Sequence, residues 1–235
     1  MRPVISESTG DAHEPGTAPF SRAPTPVSGC VEAVAVCQAT TSMVFLDRMG
    51  LLPPEFRISM RYICLLRGIN VSGHRKVTMK ELLELCTEMK FRNAINYLQS
   101  GNLVLDSTLK PVELESTIEH EIAGRFGYVD VSVMALTEAD LSRMIDGIPK
   151  SWRDYDSSKV HFSFLKTAGA EGVGATSRDY LPDEYVVGKR VVYVHCPNGY
   201  GRTKLNNSFV ERLTGTQATT RNWNTTHHLR ELVAA

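Results

Sequence analysis

The sequence lacks net charge, paired cysteines and long hydrophobic runs, and each absence argues against a class of protein. Its 235 residues carry 26 Lys and Arg against 26 Asp and Glu, so no long-range attraction draws it to a phosphate backbone or an anionic membrane. No stretch approaches the roughly 20 apolar residues of a transmembrane helix. The five cysteines form no C-x-x-C pair, which argues against a disulfide framework and a cysteine-rich zinc site.

Targeting and cofactor signals are equally scarce. The most apolar early segment, residues 31–36, is interrupted by Glu32 and has no basic stretch before it, so we predict no secretory signal. A cytoplasmic protein with buried, reduced thiols at Cys64 and Cys86 is the expectation. His227 and His228 are adjacent and point in different directions on a helix, and the other histidines have no ligand spacing. We therefore predict no metal site and no cofactor.

Lysine is missing from the first 59 residues, which hold seven of the eleven prolines. This segment is rich in Ser, Thr, Pro, Gly and Ala and has no clean apolar period. Because such a chain buries too little apolar area to offset its ordering entropy, we expect residues 1–59 to form a disordered tail. A related hypothesis is that Met60 is the biological start and that the tail is an upstream extension.

From residue 60 the pattern predicts a βαββαβ order and one more helix, which is a ferredoxin-like plait. Two helices have clear start signals, because Thr78 with Glu81 forms a capping box and Thr137 precedes an apolar helical stripe. A hairpin between these two helices is expected to turn at Gly101. The other elements follow from apolar spacing: strands at 62–66 and 129–133, and a helix through Leu114, Ile118, Ile122 and Phe126 that Gly127 ends.

The rest of the chain repeats this order more faintly. Residues 169–180 contain three glycines and favour at most a weak helix. Thr203 is interpreted as the cap of a helix through Leu205, Phe209 and Leu213. Further elements are predicted as strands at 160–164, 185–187, 191–195 and 216–220 and a last helix at 223–233. The predicted class is therefore α+β, with plaits at 60–152 and 153–235, each carrying an extra helix.

Two polar motifs lie in the first predicted plait. Arg67 ends a strand and is followed by a glycine-rich polar loop that contains Asn70 and three more potential cations. Such a loop suits an anion, and it is equally typical of a solvated strand-to-helix connection. Gln99 and Asn102 flank Ser100 and Gly101, where they could either orient a ligand or simply form the hairpin turn.

Two further motifs lie in the second predicted plait. Arg202 and Lys204 precede a predicted helix, where the positive end of the helix dipole favours an anion and ordinary capping is the alternative. The order of Thr203 and Lys204 does not match a Walker A motif, so ATP hydrolysis is not inferred. Arg221, Asn222 and Trp223 could pair and stack a ligand, or cap and staple the last helix.

Four ordered blocks together resemble the DUF1697 family, whose function is unassigned. They are residues 61–71, 97–104, 201–205 and 218–225, so the resemblance covers about 60–235 and leaves the tail outside. It implies paired ferredoxin-like plaits and implies no activity. Ser72 and Asn206 depart from the family's more usual glycine and threonine.

The leading hypothesis is a protein that binds a small anionic, phosphorylated or nucleotide-like ligand between its plaits. The candidate ligand residues are Arg67, Asn70, Gln99, Asn102, Arg202, Lys204, Arg221, Asn222 and Trp223. One alternative is an enzyme that uses the same cleft, although the sequence shows no obvious nucleophile–base pair. Another is a nucleic-acid or protein interaction module, although the third strand lacks the stacking aromatics of an RNA-recognition domain. The oligomeric state is left open.

Overall fold

The computed structural model describes residues 58–70, 73–169 and 180–235. The predicted tail lies outside these ranges except for its last two residues, and so does most of the weak helix expected at 169–180. No helix in the described ranges has both the length and the apolar character needed to span a membrane.

The first half forms a four-stranded antiparallel sheet in the order β2-β3-β1-β4. This is the strand order of a ferredoxin-like plait, so the fold class predicted for this half is confirmed. Its elements are β1 Met60–Arg67, α1 Met79–Glu88, β2 Arg92–Asn96, β3 Asn102–Ser107, α2 Pro111–Phe126, β4 Ser132–Thr137 and the additional helix α3 Glu138–Asp146.

The second half repeats the topology, with strands in the order β6-β7-β5-β8. Its described elements are β5 Val160–Leu165, β6 Glu184–Val187, β7 Val191–His195, α4 Asn207–Thr214, β8 Ala218–Asn222 and the additional helix α5 Trp223–Ala234. Short 3₁₀ turns at Lys150–Trp152 and Ser157–Lys159 connect the two halves, and a third lies at Tyr200–Arg202.

The apolar core has three parts, arranged in layers. One part lies between the first sheet and its helices α1 and α2, and another packs α4 against the second sheet. The part between the sheets includes residues of α3 and α5, which contact each other. Because α5 also contacts β1 and β3, the last helix of the second plait packs directly on the first.

Several predicted boundaries were wrong by a few residues. Val129 is exposed and lies in a turn, so β4 begins only at Ser132. Thr203 does not cap a helix, because its hydroxyl accepts the Leu205 amide after the 3₁₀ turn. Asn206 caps α4 instead, and its side chain accepts the Phe209 amide at 3.0 Å. The Thr78, Thr137 and Asn222 caps lie where the sequence predicts them.

Strand pairing makes the two plaits internally equivalent. The Leu66 amide donates to the Gly101 carbonyl, and the Leu165 amide donates in the same way to the Arg190 carbonyl. Leu66 lies opposite Val133 across the sheet, as Leu165 lies opposite Ala218. Three pairs of residues therefore hold equivalent positions in the two plaits: Arg67 and Lys166, Gly101 and Arg190, and the helix caps Thr137 and Asn222.

Candidate functional site at the plait junction

Arg221 is the centre of a buried polar network that joins the plaits. It lies on β8, and its guanidinium reaches into the first plait, where it donates to the Leu66 carbonyl at 3.0 Å and to the Asn102 side chain. Further acceptors are the carbonyls of Ser100, Gly101 and Thr220 and the Thr219 hydroxyl. All three guanidinium nitrogens are therefore engaged by neutral oxygens. Burial lowers the pKa of Arg221 to about 10.

The hairpin turn beside this network depends on a glycine. Gly101 has a φ of +77°, and a Cβ there would lie 2.8 Å from Leu66 and from Ile69. Asn102 is buried and donates to the Tyr97 carbonyl at 2.7 Å, while its amide oxygen accepts from Arg221. Gly101 and Asn102 thus shape the turn that receives the guanidinium.

Two cations in equivalent positions form ion pairs across the junction. Arg67 makes a bidentate pair with Glu211 of α4, at 2.6 and 3.0 Å. Lys166 correspondingly contacts Glu115 and Glu119 of α2, at 2.9 and 2.7 Å. These helix carboxylates also accept amides from the outer strands, since Glu211 binds the Ala218 amide and Glu115 the Ala135 amide.

Asn70 and Gln99 lie together at a pocket beside the first loop, with a volume of about 400 Å³. The Asn70 side chain donates to the Val77 and Gln99 carbonyls and accepts the Val77 amide, so it closes the loop on itself. Lys76 is the cation among the pocket's lining residues. At the adjoining start of α1, the Glu81 carboxylate accepts the amide and hydroxyl of Thr78.

Arg202 and Lys204 lie together at a different pocket, of about 330 Å³. Both are exposed, and neither side chain has a hydrogen bond or ion pair with another described residue. Asp183 lines the same pocket, so opposite charges face each other there.

Asn222 and Trp223 begin α5. The Asn222 side chain accepts the Thr225 amide at 2.8 Å, which is the capping role that the sequence offered as one alternative. Trp223 is half-buried, stacks on His227 at 4.3 Å and lines a third pocket, at the end of α3.

The nine candidate ligand residues therefore do not line one cavity. They divide among the Arg221 network, the Arg67 ion pair, the cap of α5 and three separate pockets. The middle of the junction, where a ligand was expected, contains a packed apolar cluster that includes Ile63, Leu65, Phe162 and Phe164.

A cluster of cations that the sequence analysis did not single out lines a pocket at the edge of the junction. Arg143 comes from α3 of the first plait, and Lys189 and Arg190 come from the β6–β7 turn of the second. The volume is about 270 Å³, and Asp140, Met144, Val191 and Tyr193 complete the lining. The available signal was the pair of adjacent cations at a hairpin turn. Only the tertiary fold brings that turn to Arg143.

The charged side chains in this cation pocket differ in how many hydrogen bonds and ion pairs they already make within the protein. Asp140 accepts the Thr137 amide and hydroxyl and pairs with Arg143. Partial burial raises the pKa of Asp140, but the Thr137 hydrogen bonds and the charges of Arg143 and Arg190 outweigh burial and hold it below its ordinary value. Arg190 donates to the Lys166 carbonyl at 3.1 Å, yet its Nε is buried without a described partner.

In the described part of the chain, no histidine contacts Arg67, so none is placed to act as a base beside it. His195 packs on Tyr155 at 4.2 Å and near Trp152, and its Nδ1 is buried without a described partner. Burial lowers the pKa of His195, which the charges of Glu184, Asp183 and Asp156 only partly offset. The arrangement that would favour an enzyme acting at Arg67 is therefore not formed by these residues.

Comparison with known proteins identifies a family and a fold. The model of the protein family of unknown function DUF1697 matches residues 60–193. A conserved bacterial protein from Streptococcus pneumoniae has a similar structure, with a TM-score of 0.57 and 21% identity over 75% of this chain and 99% of its own. No curated protein matches the sequence. The family match ends in β7, before the last two of the four resembling blocks.

Proposed function

We propose a ligand-binding function for this chain, which belongs to the DUF1697 family of proteins of unknown function. The ligand is a small anion, and it binds at the edge of the plait junction in the cation pocket defined by Arg143, Lys189 and Arg190. One observation carries the proposal: three cationic side chains from both plaits line a single pocket that contains one carboxylate.

The chemistry of these side chains favours an anion with several oxygens. Asp140 is already engaged by Thr137 and Arg143, so it neutralises only part of the local charge. Lys189 is exposed and has no described partner, and the Nε of Arg190 still lacks an acceptor. A phosphate group could accept from both residues, because guanidinium and ammonium groups donate strongly to phosphate oxygens.

The structural equivalence of the two plaits also supports binding of the anion in the cation pocket. Gly101 holds the turn position in the first plait, and its carbonyl accepts from the guanidinium of Arg221, which is buried on that side of the junction. Arg190 holds the equivalent position in the second plait, where Leu136 stands in place of Arg221. Among the described residues, no arginine of the first plait is buried on that side, and cations line a pocket instead.

Titration with inorganic phosphate and pyrophosphate tests the proposal by thermal shift and calorimetry. Wild type should be stabilised in a saturable way, and Lys189→Ala should weaken binding about tenfold, the effect of losing one charge-assisted hydrogen bond. Arg190→Gln should have a similar effect. Lys80→Ala is the matched control, because Lys80 is an exposed lysine on α1 outside this pocket. Absence of saturable binding, or equal affinity in Lys189→Ala and the control, would overturn the proposal.

A further inference from the structure

Both tryptophans of the chain, Trp152 and Trp223, line one pocket at the junction. Its volume is about 380 Å³, which lies within the range of small-molecule sites, roughly 300–1,000 Å³. The remaining lining residues are Ile145, Asp146, Ile148 and Arg153. This tryptophan pocket shares no lining residue with the cation pocket, and it needs the end of α3 and the start of α5 to be complete.

The aromatic walls are held in place by their neighbours. The Trp223 ring stacks on His227, with centroids 4.3 Å apart, and it lies 6.0 Å from the Phe162 ring. Trp152 is 4% exposed and stacks on Tyr155 at 5.9 Å. Rigid indole surfaces lose little conformational entropy on binding, and they favour a planar ring in stacked or edge-to-face contact.

The polar lining has opposite charges on two separate side chains. Asp146 ends α3 and Arg153 follows the 3₁₀ turn, and both are exposed. Neither side chain has a hydrogen bond or ion pair with another described residue. A carboxylate only accepts hydrogen bonds and a guanidinium only donates them. A complementary ligand therefore carries N–H donors at one edge and a carbonyl or ring-nitrogen acceptor at another.

We propose that the tryptophan pocket binds a planar nitrogen heterocycle of the nucleobase type. The ring packs against Trp223, an amino or ring N–H group donates to Asp146, and a carbonyl oxygen accepts from Arg153. Ile145 and Ile148 cover the apolar part of the ring. This site stands independently of the anion proposed for the cation pocket, since the two rest on different residues.

Intrinsic fluorescence provides a specific test, because both indoles lie at the site. Guanosine is the probe, since its base offers N–H donors and a carbonyl acceptor. Titration should change the tryptophan emission of wild type in a saturable way, and saturating inorganic phosphate should not displace the nucleoside. Asp146→Ala and Arg153→Ala should each raise the dissociation constant for guanosine about tenfold, as expected for losing one hydrogen bond to a charged group.

Asp154→Ala is the matched control, because Asp154 is an exposed neighbour that does not line the pocket. It should bind guanosine as wild type does, and Trp223→Phe should lose most of the emission change. A linear, unsaturable response would overturn the proposal, and so would equal affinity in Asp146→Ala and Asp154→Ala. The two side chains at 146 and 153 are exposed, so their replacement tests the site without disturbing the core.

Discussion

At the scale of single residues, Arg221 shows how a buried charged side chain can hold two parts of a fold together. Its guanidinium donates to acceptors from β1, the β2–β3 turn, the start of β3 and its own strand, and none of them is a carboxylate. The charge is therefore stabilised by oriented carbonyl and amide dipoles rather than by an ion pair. Removing the side chain would leave several buried acceptors without donors, and each unsatisfied group costs about 1–3 kcal/mol.

Replacing Arg221 with methionine should lower the free energy of unfolding by about 3 kcal/mol or more. An apolar replacement for a buried ion pair is often tolerated because both partners are removed together. Here the carbonyls of Leu66 and Ser100 and the side-chain oxygen of Asn102 would remain and would lose the donor that Arg221 supplies. Urea unfolding would measure the loss. Arg212→Met is the control, since Arg212 is exposed on α4. Similar stabilities for the two variants would contradict the role assigned to Arg221.

This residue also marks what the sequence could reveal. The motif from Thr219 to Thr225 was visible as a polar block, and the capping role of Asn222 could be predicted because caps are local. The partners of Arg221 are about 120 and 155 positions away, and no local pattern encodes them. An arginine that pairs an anion and one that binds backbone carbonyls have the same appearance in a sequence.

At the scale of elements, glycines in a turn and in a helix have opposite consequences. Gly101 needs a positive φ and has no room for a methyl group, because Leu66 and Ile69 lie against it. Gly124 lies inside α2, with no heavy atom within 4 Å of the position where a Cβ would be. The first position requires glycine, whereas the second only incurs the entropy cost of glycine in a helix.

Alanine substitutions at these two positions should therefore change the free energy of unfolding in opposite directions. Gly101→Ala should destabilise the protein by about 1–3 kcal/mol, through backbone strain and overpacking. Gly124→Ala should stabilise it by about 0.5–1 kcal/mol, because alanine has the higher helix propensity. Each variant is the control for the other in a denaturant titration. A stabilising Gly101→Ala would show that the turn can relax, contrary to the geometry of the network.

Element types followed from local signals more reliably than element ends did. The stripe through Leu114, Ile118 and Ile122 and its stop at Gly127 are confirmed, because spacing and caps act within a few residues. The start of α4 was assigned wrongly to Thr203, since a threonine hydroxyl can close a local turn as readily as it caps a helix. The cation pocket was missed because Arg143 and Lys189 meet only through tertiary packing.

At the scale of the whole molecule, the two plaits resemble the halves of a symmetric dimer joined in one chain. Arg67 and Lys166 reach across to helix carboxylates of the opposite plait, and the additional helices α3 and α5 pack together in the middle. An isologous interface has this reciprocity, because each contact recurs with the roles exchanged. The symmetry is broken where Arg221 in the second plait corresponds to Leu136 in the first, and the proposed anion site lies on the side of Leu136.

The interior also determines how stability depends on pH above neutrality. The thiols of Cys64, Cys86 and Cys196 are all buried. Burial raises the pKa of Cys64 well above its usual range, that of Cys86 to about 12 and that of Cys196 to about 11. An unfolded thiol ionises near pH 8.5. Between these values the unfolded chain holds fewer protons than the folded one, so stability falls as pH rises.

The free energy of unfolding should therefore be nearly constant from pH 7 to about pH 8 and should decline above about pH 8.5, with a limiting slope of about 1.4 kcal/mol per pH unit for each buried thiol. Urea unfolding in the presence of a reductant, repeated at a series of pH values, would measure this decline. Replacing Cys64 and Cys86 together with alanine should lower the stability at pH 7, because cavities remain, but it should flatten the alkaline decline. The slope separates ionisation from packing, since a cavity shifts the whole curve and leaves its pH dependence unchanged. An equally steep decline in the double variant would show that these two thiols do not govern the alkaline limb.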